Sequence, residues 1–222
     1  MIALISDVHG NFIALKEVLS AIDHLGIKNI YCLGDIVGYY PQVNECCDEL
    51  RKRKVQCILG NHDWYMISNT LCKRSKSVNK CLQFQRKIIT PDNLEWLSSF
   101  PVYRKIKNLA LVHAGWNNPI DEYIVEPTQT YFDFMPELYF AAGHTHKQML
   151  KTFGEKVYCN PGSVGQPRDG NYKAAFATFD GEKFDLLRVD YNVDEVCQLI
   201  KQAGFSEYYY NRLKTGAAHF GV

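Results

Sequence analysis

The chain has 222 residues, 46% hydrophobic and 22% charged, with a formal net charge of +1. That length and balance suit one globular domain with a sizeable core and exclude a disordered or fibrous chain. Near-neutrality also excludes a general electrostatic field for nucleic acid or anionic membrane, so any preference for anions must come from a local site.

In chain order, residues 2–5 read as a buried strand. Residues 12–25 carry apolar positions at helical spacing (Phe12, Leu15, Val18, Leu19, Ile22) and end at Gly26. NIYCLG at 29–34 is a second short apolar run closed by glycine, 43–54 reads as a helix with a basic far end, and VQCILG at 55–60 repeats the strand-then-glycine pattern. Strand, helix, strand, helix, strand implies parallel crossover units. A polar, helix-like region runs through Ser98, and 103–115 reads as a hairpin turning near Lys107 and Asn108. LYFAAGHTH at 138–146 is a further strand ending in polar groups, and Asp180-Gly181 sits between two alternating runs as a hairpin signal, with a helix following from Val193 to Gln202. The pattern predicts an α/β fold, two mixed sheets packed together between helices, in a single domain over 1–222 with 207–222 as a C-terminal tail.

The eight cysteines form no CxxC pair, and several lie within apolar runs, where a reduced thiol acts as a small hydrophobe. The opening apolar run is too short for a secretory core, and no stretch approaches the ~18 apolar residues of a membrane span. The expectation is a cytoplasmic protein that does not engage a membrane.

Each apolar run ending in glycine or polar residues leaves metal-competent side chains at its carboxyl end: Asp7 and His9, Asp35, Asn61 and His62, His113, then His144 and His146. In an open α/β sheet that edge is where ligands bind, so residues distant in sequence can converge there. In extended chain, residues two apart point to one side, so Asp7 with His9 and His144 with His146 are each expected to aim into one pocket. Only His24 and His219 of the seven histidines lie outside these segments. Any one of these residues is ordinarily a polar turn or a hydrogen-bonded core group; five such segments in succession reverse that expectation. Carboxylate, amide oxygen and imidazole without thiolate suit borderline divalent ions such as Mn²⁺, Fe²⁺ or Zn²⁺. Seven candidate ligands, leaving His62 aside, exceed one ion's needs, whereas two ions sharing a carboxylate would use them all, the arrangement that clamps an in-line displacement at phosphorus.

These residues resemble the calcineurin-like metallophosphoesterases. That family's DxH, GD, GNH[DE], H and GHxH pattern stands here as DVH at 7–9, GD at 34–35, GNHD at 60–63, HAG at 113–115 and GHTH at 143–146. The resemblance implies a four-layer α-β-β-α sandwich and two divalent ions, Mn²⁺ foremost, with Fe²⁺, Zn²⁺ or Ni²⁺ as alternatives. By the same resemblance Asp7, His9 and His146 hold the first ion, Asn61, His113 and His144 the second, and Asp35 bridges them. His62 would protonate the leaving oxygen while a metal-bridging hydroxide attacks phosphorus.

The chain departs from the protein Ser/Thr phosphatases, because Gly38 stands where they carry the aspartate that orients the acid histidine. NPGSVGQPRDG at 160–170 instead resembles small bacterial and archaeal members, phosphodiesterase-like or related to diadenosine tetraphosphatases, and offers Arg168 as a phosphate-binding residue. The expected activity is hydrolysis of a phosphodiester or phosphoanhydride of a small or nucleotide substrate. A scaffold that keeps the fold without the chemistry, a phosphomonoesterase and a nuclease are the alternatives, and a homo-oligomer stays open. Three features have no assigned role: the KRSK cluster at 73–76, the aromatic segment 116–135, read as a connector or subunit contact rather than a lid, and the three tyrosines of the tail.

Overall fold

The computed structural model describes residues 1–217, so the end of the tail, including His219, lies outside the described residues. Among the described residues, ten strands form two five-stranded mixed sheets. In the first, β1 (Ile2–Ile5), β2 (Ile30–Cys32) and β3 (Gln56–Cys57) run parallel, and β1 pairs antiparallel with β9 (Ala174–Phe179), which pairs with β10 (Phe184–Val189). In the second, β5 (Leu109–Val112), β6 (Tyr139–Ala141) and β8 (Lys156–Pro161) run parallel, flanked by antiparallel β4 (Tyr103–Ile106) and β7 (Gln148–Phe153).

The apolar runs are continuous because their strands are covered on both faces. In β1, Ala3 and Ile5 face the helical layer, while Leu4 points between the sheets and shares a core cluster with Leu111 of β5, Ala141 of β6 and Cys159 of β8. The helical layer comprises α1 (Phe12–His24), α2 (Val43–Lys52), α3 (Asn61–Ser68), α4 (Lys76–Arg86), α5 (Pro91–Ser98) and α7 (Val193–Gln202). The start of α1 is fixed by Asn11, whose side chain accepts the Ala14 N–H at 3.1 Å, and its buried stripe is Leu15, Val18, Leu19 and Ile22.

The fourth layer is thin. Over the outer face of the second sheet, the segment 116–135 packs Trp116 and Phe132 against Phe140 and Tyr158, and its helical content is the single turn α6 (Gln129–Phe132). Only Ile124 and Phe132 of that segment are buried, whereas Tyr123, Val125 and Phe134 are exposed. The β7–β8 hairpin, turning at Gly154, was not anticipated from the sequence, because exposed Lys151, Thr152 and Glu155 break any apolar alternation there. All eight cysteines are free and buried. Among the described residues no helix is long and apolar enough to cross a membrane.

Candidate metal centre

The carboxyl ends of β1, β2, β3, β5 and β6 meet at one edge of the sandwich, and each delivers buried polar groups there. Asp7, His9, Asp35, Asn61, His113, His144 and His146 are all at most 4% exposed. Three overlapping groups have donor atoms within metal-sharing distance: Asp7, His9 and His146; His9, Asp35 and His62; Asp35, His113 and His144.

The local backbone is not extended as the sequence pattern suggests. Asp7 (φ 54°), His9 (54°), Asp35 (55°), His144 (65°) and His146 (59°) all adopt the left-handed region. Alternation along a strand therefore does not aim these pairs; single left-handed residues in tight turns do, at a cost of about 1–3 kcal/mol each. Neighbouring backbone holds the turns in place, with Asp7 N–H donating to Gly34 O at 3.0 Å, His9 N–H to Asp35 O at 2.9 Å and Gly143 N–H to His113 O at 2.8 Å.

Three imidazoles are locked from behind. His9 Nδ1 bonds to Val37 O at 2.9 Å, His113 Nδ1 to Leu33 O at 2.8 Å and His146 Nδ1 to Gln166 O at 2.7 Å. A carbonyl only accepts, so each Nδ1 carries the proton, and each ring when neutral turns an Nε2 lone pair inward. His9 Nε2 and His146 Nε2 then face each other at 3.1 Å, with Asp7 Oδ1 at 3.2 Å from His146 Nε2. On the other side, His113 Nε2 lies 3.0 Å from Asn61 Oδ1, 3.2 Å from His144 Nδ1 and 3.5 Å from Asp35 Oδ2. Asp35 Oδ2 lies between, 3.7 Å from His9 Nε2. Lone pairs opposed at such distances, with Asp7 Oδ1 buried and unpartnered, fit a cation on each side of Asp35.

The electrostatics agree with that donor set. Burial, reinforced by His62 and His146, holds His9 well below its usual value, and burial does the same for His144 and His146. Burial opposes ionisation of Asp35, but His113 and His62 keep it well below the usual carboxylate range. Burial likewise disfavours charge on His113, yet Asp35 overrides it and lifts the ring to about 10. A proton on His113 occupies the place a cation would take.

His62 is different in kind. It is 5% exposed, its Nε2 lies 3.9 Å from Asp35 Oδ2, and its Nδ1 has no hydrogen-bond partner among the described residues. Its ring is held by packing instead, with Tyr39 at 5.0 Å and His9 at 4.8 Å between centroids. The reason is Gly38, where an added Cβ would fall 2.2 Å from His62 Nδ1. No aspartate fits there.

The loop after β8 closes the site from below. Ser163 Oγ and Gly165 N–H both donate to Asp7 O, and Arg168 N–H donates to His146 O at 3.0 Å. The Arg168 guanidinium donates to Tyr39 Oη at 3.0 Å and to Gln166 Oε1, and it pairs with no carboxylate among the described residues.

Two buried supports were not singled out from the sequence. Asp63 accepts backbone N–H groups from Asp35, Ile36, Val37 and Gly60 at 2.8–3.2 Å, fixing the β2 turn to the start of α3; burial and the nearby Asp35 push its carboxyl up to about 7. Gln85 of α4 accepts from Gly38 N–H at 2.7 Å and donates to Gly38 O and Tyr40 O. The first stands in the GNHD motif and was legible as a member of it; the second is one polar residue on an amphipathic helix and carries no signal.

The calcineurin-like phosphoesterase superfamily domain matches residues 1–183, and the chain belongs to that family. An uncharacterised protein of Methanocaldococcus jannaschii is 33% identical over 97% of this chain and 98% of its own length. The crystal structure of a metallophosphoesterase from Sphaerobacter thermophilus superposes with a TM-score of 0.84 at 29% identity, covering 97% of this chain and 98% of that one. A symmetrical bis(5'-nucleosyl)-tetraphosphatase of Neisseria gonorrhoeae is 29% identical over 50% of this chain and 42% of its own.

Proposed function

We propose that the protein is a two-metal phosphoesterase of a reducing, cytoplasmic compartment that hydrolyses a phosphodiester or phosphoanhydride of a small or nucleotide substrate. The observation that carries this reading is the pair of inward-facing donor sets on either side of Asp35. Asp7, His9 and His146 would hold one ion, Asn61, His113 and His144 the other, and Asp35 both; Mn²⁺ suits this oxygen and imidazole set, with Fe²⁺, Zn²⁺ and Ni²⁺ as competitors. Such ions supply an activated water at neutral pH and neutralise charge building at phosphorus.

The chain's own residues supply the rest. Arg168, which makes no ion pair with a carboxylate among the described residues, binds a nonbridging phosphate oxygen. His62, not tied to a carbonyl as His9, His113 and His146 are, would deliver a proton to the departing oxygen; burial lowers its affinity for that proton, so the proton is held only beside the anionic phosphate. Asp35 fixes the geometry between the two donor sets and accepts the His62 backbone N–H at 2.8 Å, which joins the metal-bridging position to the acid. The likeness to a tetraphosphatase supports an anhydride of a nucleotide among the candidate substrates.

The test is hydrolysis of 2′,3′-cyclic AMP, whose departing ribose oxygen needs a proton, by the Mn²⁺-loaded chain and its His62→Ala variant, with bis(p-nitrophenyl) phosphate, whose phenolate leaves without one, reporting the metal centre in both. Loss of a general acid lowers turnover by about 10²–10⁴-fold while metal content stays at the wild-type level. Equal turnover of the cyclic nucleotide by the two proteins would remove His62 from the reaction, and inactivity of the wild type on both substrates with every metal would favour the scaffold reading.

A further inference from the structure

A cavity of about 260 Å³ opens beside Asn61 and His62. Three stretches that the ligand set leaves unused converge on it. Arg74 comes from the KRSK cluster, Tyr123 from the aromatic connector, and Tyr208 and Tyr209 from the triple tyrosine of the tail; Tyr39 and Arg168 complete the wall nearest the metal centre. These segments lie far apart in the chain, and the metal centre requires none of them.

The wall has a consistent chemistry. Each arginine lies over a tyrosine, Arg168 at 5.6 Å from the Tyr39 ring and Arg74 at 5.2 Å from the Tyr123 ring. Asp121 pairs with Arg74 through both carboxylate oxygens and so fixes its guanidinium, engaging two of its N–H groups and leaving the others for a ligand. Tyr123 in turn packs on His144, with centroids 4.1 Å apart, so the far wall is continuous with the ligand cluster. Two guanidiniums at different depths suit two phosphates, and four phenol rings suit a flat aromatic group. The volume sits just below the ~300 Å³ at which small-molecule sites begin, too small for a folded partner or a polynucleotide.

We propose that this cavity is the subsite for the nucleoside and the second phosphate of a nucleotide substrate. The proposal rests on the phosphoesterase reading: the phosphate to be cleaved lies at the metal centre beside Arg168, the next phosphate meets Arg74, and the base lodges among the rings of Tyr123, Tyr208 and Tyr209. The C-terminal tail is then a specificity element.

The test is calorimetric titration of the Mn²⁺-loaded full chain with three uncleavable or single-phosphate probes: α,β-methylene-ADP, methylenebisphosphonate and AMP. Base–aromatic stacking makes α,β-methylene-ADP bind about tenfold or more tighter than methylenebisphosphonate, and the second phosphate makes it bind tighter than AMP. Tyr123 is 50% exposed and Tyr208 45% exposed, so Tyr123→Ala and Tyr208→Ala leave the fold intact and bring the analogue down towards methylenebisphosphonate. Arg74→Ala brings it down towards AMP. Equal affinity for the analogue and methylenebisphosphonate, or variants that bind as the wild type does, would overturn the proposal. Hydrolysis of bis(p-nitrophenyl) phosphate by the same preparations separates the two readings. Turnover without nucleotide selectivity sinks the subsite alone, whereas selectivity without turnover sinks the esterase and leaves a nucleotide-binding site.

Discussion

At the scale of the residue, the site is built from backbone that most side chains avoid. Five of the seven candidate ligands hold left-handed φ, and they are all Asp or His, types that tolerate that region better than branched or bulky residues. Gly38 (φ 101°) goes further, because it needs both the unusual dihedral and the missing Cβ that His62 Nδ1 would otherwise strike. Gly38→Ala is therefore expected to displace the imidazole as well as strain the turn, and a misplacement of about 1 Å costs on the order of 10²-fold in turnover. Gly26 (φ 70°) has the same kind of dihedral with nothing within 4 Å, so Gly26→Ala costs about 1 kcal/mol of stability and leaves turnover alone. Thermal unfolding and steady-state rates on both variants distinguish the two. A Gly38→Ala protein as active as the Gly26→Ala protein would show that His62 is not held where the reaction needs it.

At the scale of the element, the sequence foretold most of what positions the ligands. The expected helix at 12–25 ends at His24, the one at 43–54 ends at Lys52, and 193–202 is met at both ends. The hairpins at Lys107-Asn108 and Asp180-Gly181 stand where turn chemistry put them. These succeed because periodicity and glycine are local signals. The route by which α4 supports the site is not local, since Gln85 reaches 47 residues back to Gly38 and nothing in its neighbours announces it. Arg74, Tyr123 and Tyr208 were visible as oddities of composition, but only the folded chain brings them to one cavity. Gln85→Leu leaves a buried N–H on Gly38 without an acceptor and weakens the hold on the 38–40 turn, which costs about 1–3 kcal/mol. Urea unfolding is the measurement, with turnover falling alongside because Tyr39 and Gly38 bracket His62. Gln83, exposed on the same helix, is the control: Gln83→Leu stays within about 0.5 kcal/mol of the wild type. Equal midpoints would show that the turn is held without α4.

At the scale of the whole molecule, the two sheets touch through an apolar layer and meet again at the ligand edge, where β1, β2 and β3 of one face β5 and β6 of the other. A cation bound there joins the two sheets and also relieves the mutual exposure of buried carboxylates and lone pairs. Because the unfolded chain cannot present this donor set, metal stabilises the fold by mass action, about 2.7 kcal/mol when free ion is a hundred times its dissociation constant. For a chain of this size each kcal/mol moves the midpoint by about 2–4 °C, so Mn²⁺ added to chelator-stripped protein should raise it by about 5–10 °C. Asp35→Asn removes the negative charge at the proposed shared position and should shrink that rise and lower the number of ions bound, whereas His62→Ala should keep both. The pairing of a calorimetric midpoint with metal analysis decides the matter. A rise that survives Asp35→Asn at full metal content would take Asp35 out of the shared position, and no rise with Mn²⁺, Fe²⁺, Zn²⁺ or Ni²⁺ would mean that the inward-facing imidazoles are a hydrogen-bonded core and not a cage.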